Sequence, residues 1–416
     1  MKCIACHSTG LRPFLSLGDT PVANALRSEQ DLSKPEPRFP LEVAFCPDCA
    51  LVQTTCALDR ESIFDASYPY FSSYSDQLLD HSRRHAEGLI AERRLGKDSL
   101  VVELASNDGY LLRNFVAAGV PVLGIEPAPT QAQVAESIGV PTILDFFGEE
   151  LASKLLTEGR RADVIIANNV MAHVPDVNDF VGGIAVMLAD DGVATIENPY
   201  VRDMIERCEF DQIYHEHRCY FSCTAVSNLM ERHGLHLNHV EYFRELHGGT
   251  LRWHVSHSNS RSAAAQTYLD AERTAGLDTL DYYQGFAERV SQVKAELRDL
   301  LVELRGKGAR IAGYGAAAKG STLINYADLG VDVIDYVVDR NKYKQGLYMP
   351  GHQIPIRDPE VLQTDMPDYL LLLAWNFEEE IARQQESYLA AGGRFIVPVP
   401  SPRIREWHGV GAVART

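Results

Sequence analysis

The chain is 416 residues long, with 39 basic against 57 acidic side chains and a formal charge of −18. The length suits two or three domains, and the apolar fraction is that of an ordinary globular protein. The negative balance argues against nucleic-acid and anionic-membrane partners, which need a basic surface, and leaves a small anionic ligand to a few placed donors.

The opening "MKCIACHSTG" lacks the apolar core of a signal peptide. No apolar run approaches the roughly 20 residues that span a bilayer. A cytoplasmic address without disulfides is expected. Residues 1–65 are short on periodicity and carry Cys3-x-x-Cys6 and Cys46-x-x-Cys49. Each pair turns two thiolates toward one ion, and two pairs complete a tetrahedron. Four protein sulfurs leave no position for water, so the expected zinc is structural, holding a segment too small for its own core. Cys56, Cys208, Cys219 and Cys223 lack such spacing and read as small buried residues.

Residues 66–260 form the second segment. "SLVVELASNDGYLLRNFVAAG" reads as strand, small-residue turn and helix. "PVLGIEPAP", "VPTILDFF", "RADVIIANNVMAHVPD" and "GVATIENPY" supply four further strands, and "LNHVEYFRELHGGTLRWHVSHS" a closing antiparallel hairpin. Strands alternating with helices predict an α/β fold with a doubly wound parallel sheet. A parallel sheet finished by a hairpin resembles the class I, Rossmann-like methyltransferase core. The first turn has one glycine where a dinucleotide fold has three. Glu103, Ala105, Asn107 and Gly109 around it, Glu126 ending the second strand, Asp145-Phe146 ending the third and Asn168 ending the fourth resemble that family's S-adenosylmethionine site. The resemblance gives Glu126 the ribose hydroxyls and Asp145-Phe146 the adenine.

Residues 261–416 begin with a pattern that predicts one continuous helix over 262–307. "ARIAGYGAAAKGSTLINY" and "VDVIDYVVDRN" then predict a second, smaller α/β domain. Its Gly-rich turn offers backbone amides to phosphate oxygens through Gly315, Lys319 and Ser321, with Arg340, Lys342 and Lys344 as further cations. A nucleotide fold that only packs is the alternative. Asp339, where a dinucleotide enzyme holds a ribose, keeps an oxidoreductase in view.

The two cysteine pairs, "LGDTPVAN", "YPYFSSYS", "ELASNDGY", "NNVMAHVPD", "DQIYHEH" and "GYGAAAKG" occur in that order. This resembles the sugar C-methyltransferases that build branched deoxysugars, over nearly the whole chain. The resemblance implies a zinc domain (1–65), a cofactor-binding core (66–260) and a C-terminal domain (261–416) that binds nucleotide sugar. The implied substrate is a dTDP-4-keto-6-deoxyhexose methylated next to the ketone, at C3. The implied base is His217, with Tyr214 and Glu216 beside it and His173 and Tyr68 as donors to O4. Met171 stands where an aromatic is frequent, a packing change only.

Methylation next to a ketone needs a base near neutrality and a donor for the enolate, and imidazole and phenol suit both tasks. His-x-His is also a metal spacing, but two ligands are not a site. An inert polar loop is the third reading of "DQIYHEH". Using Tyr214, Glu216 and His217 together requires a turn there, because in a strand His215 and His217 would share a face. His215 is left without a role. His233, His236 and His239 read as surface residues, and Tyr70, Phe71 and Tyr74 as core or lid. Two other functions stay open: O- or N-methylation of a small molecule, and a non-catalytic zinc-anchored binding protein. A chain with three domains of its own can stand as a monomer.

Overall fold

A computed structural model describes residues 2–58, 71–246 and 248–405. Contacts divide the chain into two compact units. The first comprises 1–14, 43–202 and 217–284, the second 15–42, 203–216 and 285–416. These units cut across the three segments read from the sequence, and the boundary at 216/217 falls inside "DQIYHEH".

The chain opens with β1 (Arg12–Thr20), β2 (Phe39–Phe45) and β3 (Val52–Thr54). Phe14 and Phe45 pack against Tyr283, at ring-centre distances of 4.9 and 5.0 Å, so the cysteine segment borrows its apolar anchor from elsewhere in the first unit. α1 (Asp76–Arg93) starts at Ser75, whose hydroxyl accepts from the Leu78 N–H. Its buried stripe mixes Leu78, Ala86 and Leu89 with His81, Ser82 and His85.

The core then alternates strand and helix: β4 (Val101–Leu104), α2 (Leu112–Ala117), β5 (Val122–Ile125), α3 (Pro129–Ser137), β6 (Thr142–Ile143), α4 (Glu149–Thr157), β7 (Ala162–Asn168), α5 (Val177–Met187) and β8 (Leu188–Pro199). After α6 (Val201–Glu206), β9 (Cys219–Tyr220) and α7 (Cys223–Glu231) come β10 (His236–Phe243) and β11 (Thr250–Ser256). The seven-stranded sheet has the order β10-β11-β8-β7-β4-β5-β6. β8, β7, β4, β5 and β6 are parallel, and β11 is antiparallel to both of its neighbours, which is the expected hairpin finish. The third strand is shorter than "VPTILDFF" suggests: only Thr142–Ile143 pair, and Asp145 lies beyond the ladder. β3 pairs antiparallel with β2 and, through Val52↔Tyr220 and Gln53↔Cys219, with β9.

The helix expected over 262–307 is two helices, α8 (Ala263–Ala275) and α9 (Phe286–Gly306). Gly276 at φ 82° closes the first and Gly285 at φ 75° opens the second, and the unit boundary lies between Gln284 and Gly285. Glu272 of α8 is buried; it accepts from the Tyr200 hydroxyl and from the Cys223 and Thr224 N–H groups at the start of α7.

In the second unit α9 is followed by β12 (Ile311–Tyr314), α10 (Ala318–Ala327), β13 (Val337–Val338), β14 (Ile356–Arg357), α11 (Leu362–Asp365), β15 (Tyr369–Leu372), α12 (Glu378–Gln384), α13 (Glu386–Ala390), β16 (Arg394–Val397) and β17 (Arg403–Arg405). The sheet order is β14-β13-β12-β15-β16-β17, parallel except for β17. The strand order therefore reverses at β12/β15, where open α/β sheets place ligands at the carboxyl ends.

Candidate functional site

The four cysteine sulfurs lie within 4.8 Å of one another, with Cys3–Cys49 and Cys6–Cys46 each at 3.5 Å. A tetrahedral zinc with Zn–S near 2.3 Å sets its sulfurs about 3.8 Å apart, so the cage fits the ion. The two knuckles repeat one backbone path. His7 N–H donates to the Cys3 carbonyl and Ala50 N–H to that of Cys46, and both His7 and Ala50 sit at φ 61°. Burial pushes the Cys46 thiol up to about 11, and a divalent ion offsets that penalty for every thiolate it binds. Cys208, Cys219 and Cys223 are buried and Cys56 half-buried, all four as free thiols.

The turn after β4 takes three left-handed residues, Ala105 (φ 54°), Asn107 (φ 50°) and Gly109 (φ 76°), although only one is glycine. Glu103 at the end of β4 is 1% exposed, and its Oε2 has no hydrogen-bond partner. Glu126, just past β5, accepts from the Asn107 N–H on Oε2 and the Ala128 N–H on Oε1, each at 2.8 Å. Burial raises its carboxyl to about 7. It therefore props the turn, and each oxygen keeps a lone pair for a further donor. Ser72 N–H donates to Asn107 Oδ1 and Ser73 N–H to Asp108 Oδ2, which lays the described end of "YPYFSSYS" on the same turn. Asn168 at the end of β7 is half-buried, with both amide atoms lacking a partner. A cavity of ≈ 340 Å³ is lined by Asp145, Phe146, Phe147, Leu151, Lys154 and Asp179. Unmet polar atoms around the turn and an aromatic cavity beyond β6 suit S-adenosylmethionine.

His173 and His217, both half-buried, stand edge to face with ring centres 4.7 Å apart. His173 lies five residues beyond β7, at the carboxyl end of the sheet, and His217 two residues before β9. The Arg218 N–H donates to the Ala172 carbonyl at 2.7 Å, which ties the two segments together. Met171 is fully buried beside them. Tyr68 lies outside the described residues.

In the second unit, residues 215–216 form a turn. Glu216 is buried and accepts from the Asn24 N–H of "LGDTPVAN" on Oε1, and burial raises its carboxyl to about 7. Tyr214 is half-buried. His215 packs edge-on against Phe39, and burial lowers its pKa.

The Gly-rich turn of β12–α10 is packed by necessity: a Cβ on Gly315 would meet Ala374 at 2.7 Å and one on Gly320 would meet Leu373 at 2.7 Å. Lys319 is half-buried; its Nζ donates to Asn376 Oδ1 at 2.8 Å and sits 4.7 Å from the Trp375 ring centre. Burial lowers its pKa, opposed by the charges of Asp211 and Glu209. Ser321 is buried with Oγ unpartnered. Arg340 faces Glu380, and Lys342 is exposed. Lys344 Nζ donates to the Ala316 carbonyl. Asp339 accepts from the Ala316 and Asn341 N–H groups, repeating what Glu126 does in the first unit.

Three family models match in chain order: a zinc binding domain over residues 3–64, a methyltransferase domain over 79–240 and a C-methyltransferase C-terminal domain over 245–400. C-methyltransferase NovU of Streptomyces niveus is 35% identical over 407 residues, 97% of this chain and 96% of its own. The chain belongs to the C-methyltransferase family. The resemblance drawn from its motifs is borne out, and with it an S-adenosylmethionine-dependent enzyme that carries a structural zinc. Ubiquinone biosynthesis O-methyltransferase of Bartonella quintana (strain Toulouse) is 29% identical over 94 residues, 22% of this chain and 38% of its own. The solved magnesium protoporphyrin IX methyltransferase from Synechocystis PCC 6803 covers 43% of this chain and 79% of its own, at 12% identity and a TM-score of 0.34. Among the described residues no helix is long and apolar enough to cross a membrane.

The buried acids Glu197 and Asp211 of this C-methyltransferase have partners that no local sequence pattern shows. In the first unit Glu197 of β8 is fully buried. It accepts from Arg252 Nε at 2.6 Å and lies 3.0 Å from His81 Nε2; burial pushes its carboxyl up, but these partners outweigh it and hold the carboxyl well below the usual range. The acid in "IENPY" and the arginine in "TLRWHVS", each interrupting an apolar strand, were the available signals. His233, His236 and His239, expected at the surface, are instead half-buried, with His233 bonded to Asn178 and His239 to Ser262. In the second unit Asp211 is 0% exposed and accepts from the Trp375 indole at 2.6 Å, with Oδ1 unpartnered.

Proposed function

We propose that this C-methyltransferase acts on a dTDP-linked 4-keto-6-deoxyhexose and methylates C3, within the biosynthesis of a branched deoxysugar. Bound S-adenosylmethionine supplies an electrophilic methyl group to a nucleophilic carbon. His217 removes the C3 proton and leaves the electron pair shared between C3 and O4. His173 and Tyr68 donate hydrogen bonds to the developing O4 oxyanion. Tyr214 and Glu216 orient the sugar. Glu103, Ala105, Asn107, Gly109, Glu126 and Asn168 hold the methionine and ribose parts of the cofactor, and Asp145 and Phe146 the adenine. The substrate diphosphate is received at the α10 N-terminus, whose N-cap Ala317 offers no side-chain cap, by Gly315, Lys319 and Ser321, with Arg340 and Lys342 supplying charge.

The observation that carries this reading is the His173–His217 pair, two imidazoles 4.7 Å apart at the carboxyl end of the parallel sheet. The enzyme is expected to exchange the C3 proton of the ketosugar nucleotide in deuterium oxide, and His217→Asn to lose exchange and methylation together. Full turnover in His217→Asn would remove the base. Turnover that chelation abolishes and an added divalent ion restores would favour a metal at His215 and His217.

A further inference from the structure

We propose that binding of the cationic methyl donor drives the proton off Glu103, so that the β4 turn distinguishes S-adenosylmethionine from S-adenosylhomocysteine by charge. The inference rests on the reading that this turn holds the cofactor.

The geometry is a crowd of carboxyls with too little positive charge. Glu103, Asp108, Glu126 and Glu197 are all at most 4% exposed. They project from the end of β4, the turn, the end of β5 and β8. Glu197 has Arg252 and His81 beside it, whereas among the described residues no ion pair involves Glu103, Asp108 or Glu126. Glu126 is held by two backbone N–H groups. Glu103 Oε2 and Asp108 Oδ1 have no hydrogen-bond partner. From α1, His85 lies within reach of the Arg252 and Glu197 charges with both ring nitrogens unpartnered, and burial together with the Arg252 charge keeps it neutral. A carboxyl buried among like charges keeps its proton until a cation arrives. Burial and the charges of Asp108 and Glu126 act on Glu103 in that sense.

The sulfonium donor carries one positive charge more than its demethylated product. When the donor binds, the Glu103 O–H bond breaks, its electron pair stays on the carboxylate and the proton passes to solvent. The neutral thioether product gives no such compensation, so the proton returns as the turn relaxes. The donor therefore gains affinity with rising pH, by at most about tenfold per unit for one proton, and the product much less.

Isothermal titration of the zinc-loaded full chain near pH 7, in buffers of different ionisation enthalpy, counts the protons. More protons are expected to leave with S-adenosylmethionine than with S-adenosylhomocysteine. Glu103→Gln should abolish the difference and flatten the pH dependence, while Glu209→Gln, at a buried acid of the second unit, should keep it. Tight binding of both ligands with equal, buffer-independent heats would overturn the proposal and leave the cofactor site standing. Release that survives in Glu103→Gln but vanishes in Glu126→Gln would overturn the assignment to Glu103. Failure of either ligand to bind would overturn the site reading itself. The wild-type comparison of the two ligands stands even if Glu103→Gln does not fold.

Discussion

Ala105 and Asn107 reach by strain what Gly109 reaches freely. A Cβ on Gly109 would sit 3.1 Å from Val140 and 3.2 Å from Ala135 and Ile138, at φ 76°. Gly109→Ala should therefore lose roughly 1–3 kcal/mol in urea unfolding and weaken cofactor binding. Ala105→Gly relieves a left-handed alanine and should be neutral or stabilising by up to about 1 kcal/mol in the same assay; a larger loss would mean that the methyl group is packed. His217→Asn should lower turnover roughly 10²–10⁴-fold while leaving the dissociation constant for S-adenosylmethionine unchanged, because the role proposed for its imidazole is proton transfer. A parallel loss of cofactor affinity would relocate its role.

Elements were legible wherever one local rule governs them. The cysteine knuckles announce themselves because coordination fixes their spacing. The alternation from β4 to β8 is visible because strands buried on both faces read as apolar runs. The break between α8 and α9 was missed because Gly276 and Gly285 flank a stretch, "LDTLDYYQ", that still looks amphipathic. The left-handed turn at Ala105 and Asn107 was missed because neither residue is glycine. Glu197 with its partners is written across separations of 116 and 55 residues, which no local pattern carries. The knuckles give the clearest test of an element. Cys46→Ser opens the zinc cage and should lower zinc content below one ion per chain, with a loss of several kcal/mol in unfolding free energy. Full zinc retention with unchanged stability would show that the cage is not structural.

Across the chain, buried acids set the response to pH. Glu126 and Glu216 are raised to about 7, Glu209 to about 8 and Asp211 to about 6, all chiefly by burial. An acid whose folded pKa is raised gives stability that is fully present below its unfolded value and is lost as pH rises through the folded one. The ligand-free protein should lose thermal stability between about pH 5 and pH 8, by roughly 1–3 kcal/mol for each such group. Glu241, lowered to about 2 by His254 and Arg252 against its burial, acts in the opposite sense, and its share is lost only as pH falls below about 4. Glu216→Gln should shallow the alkaline decline in a melting series; an unchanged slope would show that Glu216 is ionised in the fold. The reaction is decided by where the methyl group goes. Incubation of the wild-type enzyme with a dTDP-4-keto-6-deoxyhexose and S-adenosylmethionine bearing a carbon-13 methyl, read by NMR, should show the labelled methyl bonded to C3 and the C3 proton lost. Label on oxygen or nitrogen, or on a carbon remote from the ketone, would contradict carbon methylation through an enolate.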